Sequence, residues 1–265
     1  MNARVAWIHV APVKALAIEE RRRVTLTERG VPGDREFCIV DETGRMINGK
    51  RVALLVAIRP LLDDRKKRLT LRMPDGSKVA GDIELGEPTL ITTSSRTVAA
   101  HVVIGPWSDA LSAVAGRPLR LVHVDDEGAG IDRAGRKGAA SLLSVAALDG
   151  MAEAAQADGP VDPRRFRMTF GIAGVPAHAE DGWIGREVRI GEAVVVPIGN
   201  VGRCAVTTVD PVTGVSDLDT LGALARYRGA NETSEALPFG VWGRVERAGV
   251  VSVGDPVVVQ DPVPA

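Results

Sequence analysis

The chain has 265 residues, 45% of them hydrophobic, and a formal net charge of -1. That length and apolar content allow one large core or two smaller ones without disulfide staples, which excludes wholesale disorder. The near-neutral balance argues against a strongly basic polyanion-binding surface, so no nucleic-acid polymer is expected as a partner.

From the amino terminus, "RVAWIHVAPV" is a short apolar, β-branched run stopped at Pro12, and "RRVTLTERG" alternates with a period near two before Gly30; both predict strands. "REFCIVDETGRMING" reads as strand, Glu-Thr-Gly turn and return, and "RLTLRMPDGSKV" repeats the logic around Pro-Asp-Gly. The first third is thus a set of hairpins. "PWSDALSAVAG" predicts an amphipathic helix closed by Gly116, followed by the strand "LRLVHVDD". The polar, glycine-rich stretch 125–140 is the expected linker between an amino-terminal unit, 1–124, and a carboxy-terminal unit, 141–265. Beyond it, "SVAALDGMAEAAQADG" predicts a helix with Ser144 as N-cap and Gly159 near its end. "VRIGEAVVVPIG" predicts a hairpin with Gly191-Glu192 at its tip, "CAVTTV" the next strand, and "DLDTLGALARYRG" a helix. "FGVWGRVERAGVVSVGDPVVV" closes the pattern with two short strands. The expected fold class is α+β, predominantly β, with two β-rich units and a few peripheral helices.

The start "MNARVAWIHVAPVK" lacks the long apolar region of a signal peptide, and no segment approaches the roughly 18 consecutive apolar residues of a membrane span. A cytoplasmic location with no membrane partner is the expectation. Cys38 and Cys204 are the only cysteines, which makes no disulfide framework and suits a reducing compartment. His9, His101, His123 and His178 are scattered, without a His-Glu-x-x-His or Cys-x-x-Cys pattern that would support structural zinc. No glycine-rich phosphate loop follows a strand, which disfavours dinucleotide and nucleoside-triphosphate folds.

The cations draw attention in combination. Lys14 follows a strand and a proline, Arg35 opens another strand, "PRRFR" groups Arg164, Arg165 and Arg167, and Arg203 precedes Cys204. Arginine offers a planar donor fork suited to phosphate and to heterocycle carbonyls. Convergence of three of these groups would imply an anionic cofactor; scattered, they are solvated charges at strand ends.

"APVKAL", "ERGVPGDREFCIVDETGRMING", "RFRMTFGI", "AEDGWIGREVRIGE", "GRCAVTTVDPVTG", "LARYR" and "VSVGDPV" occur in an order that closely resembles MOSC proteins. MOSC is the carboxy-terminal domain of molybdenum cofactor sulfurase, and the amino-terminal part resembles the β-barrel domain that commonly precedes it. The fold so implied is an amino-terminal β-barrel-like domain followed by a MOSC β-barrel with peripheral helices. The resemblance implies a molybdenum–molybdopterin cofactor whose metal takes the Cys204 thiolate as ligand, a soft donor favoured beside positive charge. It also implies Lys14, Arg35 and Arg167 as cofactor contacts, with Arg203 beside the metal. Thr208 and Asp210 lie on the same motif and either position the cofactor or form the turn. Cys38 in "FCIV" and Trp183 in "EDGWIG" read as core. Pyridoxal phosphate binding is a further term attached to the family.

Three places depart from the family pattern: Ala15 stands where many relatives have Ser, Met168-Thr169 where they have Pro-Asn, and "GRKGAASLLS" lacks the acidic and hydroxyl residues common there, with Ser141 or Lys137 as candidate substitutes. The implied activity is reduction of a small N-hydroxylated substrate. With no four-cysteine pattern after "GDPVVV", no fused iron–sulfur cluster or flavin is expected, and a separate flavin or iron–sulfur protein would be the electron donor. Two alternatives stay open: a persulfide carrier using Cys204, and a diverged metal-free enzyme or binding module.

Overall fold

The computed structural model describes residues 2–63, 67–93, 96–125, 139–229 and 233–260. The expected linker, 125–140, lies almost wholly outside these. Strands β1 (Arg4–Val10), β2 (Glu19–Arg21) and β3 (Arg23–Leu26) lead the chain. They are followed by β4 (Phe37–Val40), β5 (Met46–Ile47), β6 (Arg59–Asp63), β7 (Arg68–Arg72), β8 (Lys78–Asp82), β9 (Glu84–Thr92) and β10 (Thr97–Ile104). Helix α1 (Trp107–Ala115) and strand β11 (Arg120–Val124) close the first half. The second half runs β12 (Ala140–Ser144), α2 (Ala146–Ala154), β13 (Phe170–Ala173), β14 (Val188–Ile190) and β15 (Ala193–Gly202). Helix α3 (Thr220–Arg228), β16 (Pro238–Arg247), β17 (Gly249–Ser252) and β18 (Val257–Val259) complete it. The fold is mixed α+β and strand-rich.

Two sheets carry most of the described chain. One orders its eight strands β18-β14-β15-β16-β12-β13-β1-β2; the other orders five as β5-β4-β11-β10-β9. The hairpin strands β6, β7 and β8 form a third sheet, and β17 pairs with β3. The first strands of the chain therefore complete the sheet of its second half: β1 runs antiparallel to β13, pairing Ile8 with Phe170. Parallel neighbours need a long crossover, and β12 reaches β13 through α2 and the segment after it.

Each large sheet has its own core. Val5, Ile8, Phe170, Ile172, Val195 and Val241 pack together in one. Phe37, Ile39, Leu55, Leu69, Trp107 and Leu121 pack in the other, where the Trp107 indole donates to the Leu69 carbonyl at 3.2 Å. Strand β15 is buried almost throughout its first five residues, because β14 and β16 flank it and both faces are covered. Cys38 and Trp183 are buried, at 0% and 6% exposure.

Local patterning predicts many elements but not β2, β6, β9, β10, β12 or β13, and three of the predicted features differ. Ser144 ends β12 instead of capping α2; its hydroxyl accepts from the His178 amide at 2.8 Å, and Val145 occupies the cap position without a side-chain bond. "CAVTTV" is not a strand but a 3-10 turn over Ala205–Thr208. The Thr207 and Thr208 hydroxyls donate to the carbonyls of Cys204 and Ala205, three residues back, which favours a turn over a ladder. The last stretch holds three strands, because β16 is ten residues long and bridges β15 and β12.

The β1–β13 seam depends on a residue without a side chain. Gly171 lies opposite Trp7, and a Cβ there would overlap the indole. Gly171→Ala is expected to destabilise the protein by about 1–3 kcal/mol, the usual cost of overpacking a filled site. Urea unfolding checks this, and an unchanged midpoint would mean the seam has slack.

Candidate functional site

At three places the backbone is unusual for the residues that occupy it. Ala15, Arg35 and Arg167 all hold left-handed φ angles of 80°, 57° and 54°, which side chains other than glycine rarely adopt. All three line one cleft of about 1260 Å³. Such strain costs on the order of 1–3 kcal/mol per residue and persists where surrounding bonds over-determine it, most often at functional sites.

Those bonds are present. The Arg35 amide donates to Ala11 O at 2.7 Å, and its guanidinium pairs with Asp34 and donates to Arg167 O at 2.8 Å. The Arg167 guanidinium donates through Nη1 to Leu16 O at 2.8 Å, while its buried Nη2 has no hydrogen-bond partner among the described residues. Lys14 is tied by its amide to Phe37 O at 2.8 Å. Three segments far apart in the chain, 11–16, 34–37 and 163–169, are thereby stitched into one wall.

Electrostatics on that wall are unfavourable for the protein alone. Burial, then the neighbouring Arg35, pushes Lys14 down to about 7. Burial and Arg35 likewise push Arg167 down to about 9. Cations held against desolvation and each other are relieved by a bound anion. The wall therefore fits an anionic group.

Cys204 lines the same cleft, half-buried and free, at the mouth of the 3-10 turn. Among the described residues no group of three or more His, Cys, Asp or Glu side chains is arranged to hold a metal ion. A metal held here by Cys204 would take its remaining donors from a chelating cofactor. That donor set, one soft thiolate on a wall lined by Lys14, Arg35 and Arg167, suits an anionic metal–sulfur cofactor such as molybdopterin.

Arg203 plays another part. It lines the cleft, and Nε and Nη2 donate to Phe239 O, the former at 3.0 Å. Nη1 donates to Phe166 O at 2.8 Å, and Nη2 also reaches Met168 Sδ at 2.9 Å. Its guanidinium lies about 5.5 Å from the centroid of the Phe166 ring. Sequence reasoning places its charge beside the metal, whereas these bonds anchor the strand end that presents Cys204. Thr208 and Asp210 stand outside the lining of the cleft. Asp210 Oδ1 accepts from the amides of Val212 and Thr213 and from the Thr213 hydroxyl. Although burial opposes it, these hydrogen bonds hold the Asp210 carboxyl below the usual range. It forms the turn.

Sequence reasoning named Ser141 as a substitute hydroxyl but not its pairing with Thr169. Thr169 Oγ1 lies 3.1 Å from Ser141 Oγ, which also accepts from the Thr169 amide, and both residues line the cleft. Met168 is buried at 2% and serves the Arg203 anchor.

With fold and cleft in hand, the class of protein is defined: the MOSC N-terminal beta barrel domain matches residues 2–109 and the MOSC domain matches residues 131–258. The chain belongs to the family these two domains define. It is similar to mitochondrial amidoxime-reducing component 1 of Danio rerio, at 26% identity over 92% of this chain and 80% of that protein. It is similar to the Homo sapiens protein of the same name at 27% identity over 95% of this chain and 80% of that one. A shorter stretch is 35% identical to the Mus musculus protein, covering 44% of this chain and 35% of that one. Among solved structures, the YUAD protein from Bacillus subtilis aligns over 97% of this chain and 94% of that one, with 13% identity and a TM-score of 0.49.

The names of these relatives correct the cytoplasmic expectation, because proteins matched along nearly the whole chain are described as mitochondrial. Lack of a signal-peptide pattern is blind to such targeting. No helix among the described residues is long and apolar enough to cross a membrane.

Lys14 gives the wall a measurable signature. The unfolded lysine holds its proton to about 10.5 and the folded one only to about 7, so the unfolded chain binds more protons between those values. Stability from this group rises as pH climbs through that window and is lowest below about 7. Arg167 acts in the same direction from about 9 upward. In cofactor-free protein, Lys14→Met should therefore flatten the dependence between about pH 7 and pH 9 and stabilise the protein most at the acid end. Denaturant midpoints across that range check this; identical slopes in both proteins would contradict it.

Proposed function

We propose that the chain is a molybdenum cofactor-dependent oxidoreductase that removes oxygen from a small N-hydroxylated substrate, drawing electrons from a separate flavin or iron–sulfur protein. The observation that carries this reading is the meeting of the Cys204 thiol with Lys14, Arg35 and Arg167 in one cleft. The amidoxime-reducing relatives support it. The units at 1–124 and 141–265, joined through 125–140, belong to the same proposal. The family models support the division, with β1 lent to the sheet of the second unit.

When bound, the cofactor supplies the two-electron couple and the oxygen-accepting centre. Cys204 would hold the metal, and Lys14, Arg35 and Arg167 the anionic part of the cofactor. Overall, the substrate N–O bond breaks, two electrons and two protons enter, and an N–H compound and water leave. The chain orients the cofactor by fixed backbone carbonyl bonds to its arginines, so no side chain must reorganise on binding. Ser141 and Thr169 place hydroxyls on the same wall, where they hydrogen-bond to a polar cofactor edge or to substrate.

Protein made in a host that synthesises the cofactor is expected to contain molybdenum and to reduce benzamidoxime with a chemical electron donor under anaerobic conditions. Cys204→Ala should lose molybdenum and turnover together, with turnover falling at least about 1000-fold if the thiolate is the sole protein ligand. Retained molybdenum and turnover in the variant would contradict the assignment. A sulfur adduct on Cys204 by mass spectrometry, with no molybdenum, would instead favour persulfide transfer.

A further inference from the structure

Arg165 is 7% exposed, lines the cleft, and directs its guanidinium to the loop that begins at Cys204. Its Nη1 donates to Thr208 O at 3.2 Å. Its Nη2 pairs with Asp217 at 2.8 Å and reaches Asp210 at 3.5 Å. All three partners belong to the loop that begins at Cys204. In the opposite direction, Arg203 from that loop donates to Phe166 O. Two arginines thus stitch the same pair of segments reciprocally. Arg165 and Phe166 lie on one side, immediately before Arg167; Arg203 and Thr208 lie on the other, bracketing Cys204.

The two stitches differ in what they hold. The Arg203 stitch fixes the entry to Cys204 against backbone carbonyls. The Arg165 stitch fixes the exit, where the 3-10 turn over 205–208 passes into the Asp210 turn and then α3. That exit has further anchors: Thr207 Oγ1 lies 2.6 Å from Thr220 Oγ1, both buried, and the Asp217 amide donates to Thr208 O at 3.1 Å. Arg165 is the anchor that ties this loop to the segment bearing Arg167.

We propose that Arg165, with Asp217 and Asp210, is a positioning clamp that sets the Cys204 thiol relative to the Arg167 guanidinium. The proposal rests on the functional reading only in taking Cys204 as the reactive group. Charge-assisted bonds made by a buried guanidinium are strong and directional, and losing one partner leaves the other in a poor environment. Opening the clamp from Asp217, which lies outside the cleft lining, frees the turn after Cys204 without touching the thiol or the residues named as cofactor contacts.

Cofactor-free protein gives a direct readout, because the half-buried Cys204 and the fully buried Cys38 are its two cysteines. Burial pushes the Cys38 thiol up to about 12, which keeps it inert and makes it an internal control for folding. With iodoacetamide under native conditions, Arg165→Met and Asp217→Asn are each expected to change the Cys204 alkylation rate by about tenfold while Cys38 stays unlabelled. The double variant should change it no further than the larger single one, since both break one interaction. Arg165→Lys should restore part of the wild-type rate, as a point charge replaces a fork. In cofactor-loaded protein the same variants should keep molybdenum but lower kcat more than they raise KM.

Wild-type alkylation rates in Asp217→Asn, or additive effects in the double variant, would overturn the clamp. If Arg165→Met labels Cys38, its fold has opened, and Asp217→Asn decides alone, its side chain being 43% exposed and tolerant of change. Failure of the functional reading looks different: Cys204→Ala keeping molybdenum would sink that reading and leave the alkylation result standing.

Discussion

Pairing of β1 with β13 is the constraint on which the cleft depends. The His9 amide donates to Thr169 O at 2.8 Å just beyond the ladder, so the chain leaving β1 must run alongside the segment entering β13. Residues 11–16 leave one end of that seam, and 163–169 arrive at it. Lys14 and Arg167 become neighbours because two strands share hydrogen bonds, although 153 positions separate them in the chain. Pairing that non-local carries a loop-closure cost, offset by burial of Ile8, Phe170 and Ile172 at the seam.

Given that seam, polar chemistry organises the rest. Arg35, Arg165, Arg167 and Arg203 all donate to main-chain carbonyls from elsewhere in the chain. Asp34 pairs with Arg35 and Asp217 with Arg165, while Lys14 and Arg167 lie on the cleft wall under the repulsion of Arg35. The left-handed backbone at Ala15, Arg35 and Arg167 belongs to the same arrangement: it aims short turns so that side chain and carbonyl serve different partners.

The division of labour among the arginines bears on how the family motif works. "GRC" reads as an arginine placed to activate the neighbouring thiol. In the folded chain that arginine lies near the rings of Phe166 and Phe239 and donates to main-chain carbonyls, bonds that hold the strand end presenting Cys204. Positive charge facing the cleft comes from residues on other segments. Thr207, Thr208 and Asp210 complete a turn whose internal hydrogen bonds shape the Cys204 loop.

By itself the sequence determined the strand-rich class, most hairpins, the helix ended by Gly116, and the order of motifs that marks Cys204. These are local matters of alternation, turn residues and spacing, and local terms decide them. The 3-10 turn after Cys204 escaped because "AVTT" has strand propensity that the threonine hydroxyls override by bonding back to carbonyls. Only the tertiary structure decided that β1 joins the sheet of the second half, that Arg203 faces inward, that Asp210 belongs to Arg165, and that Lys14 and Arg167 share a wall. Each of those is a pairing between distant segments, and the direction in which a guanidinium points depends on which carbonyls folding brings within its reach.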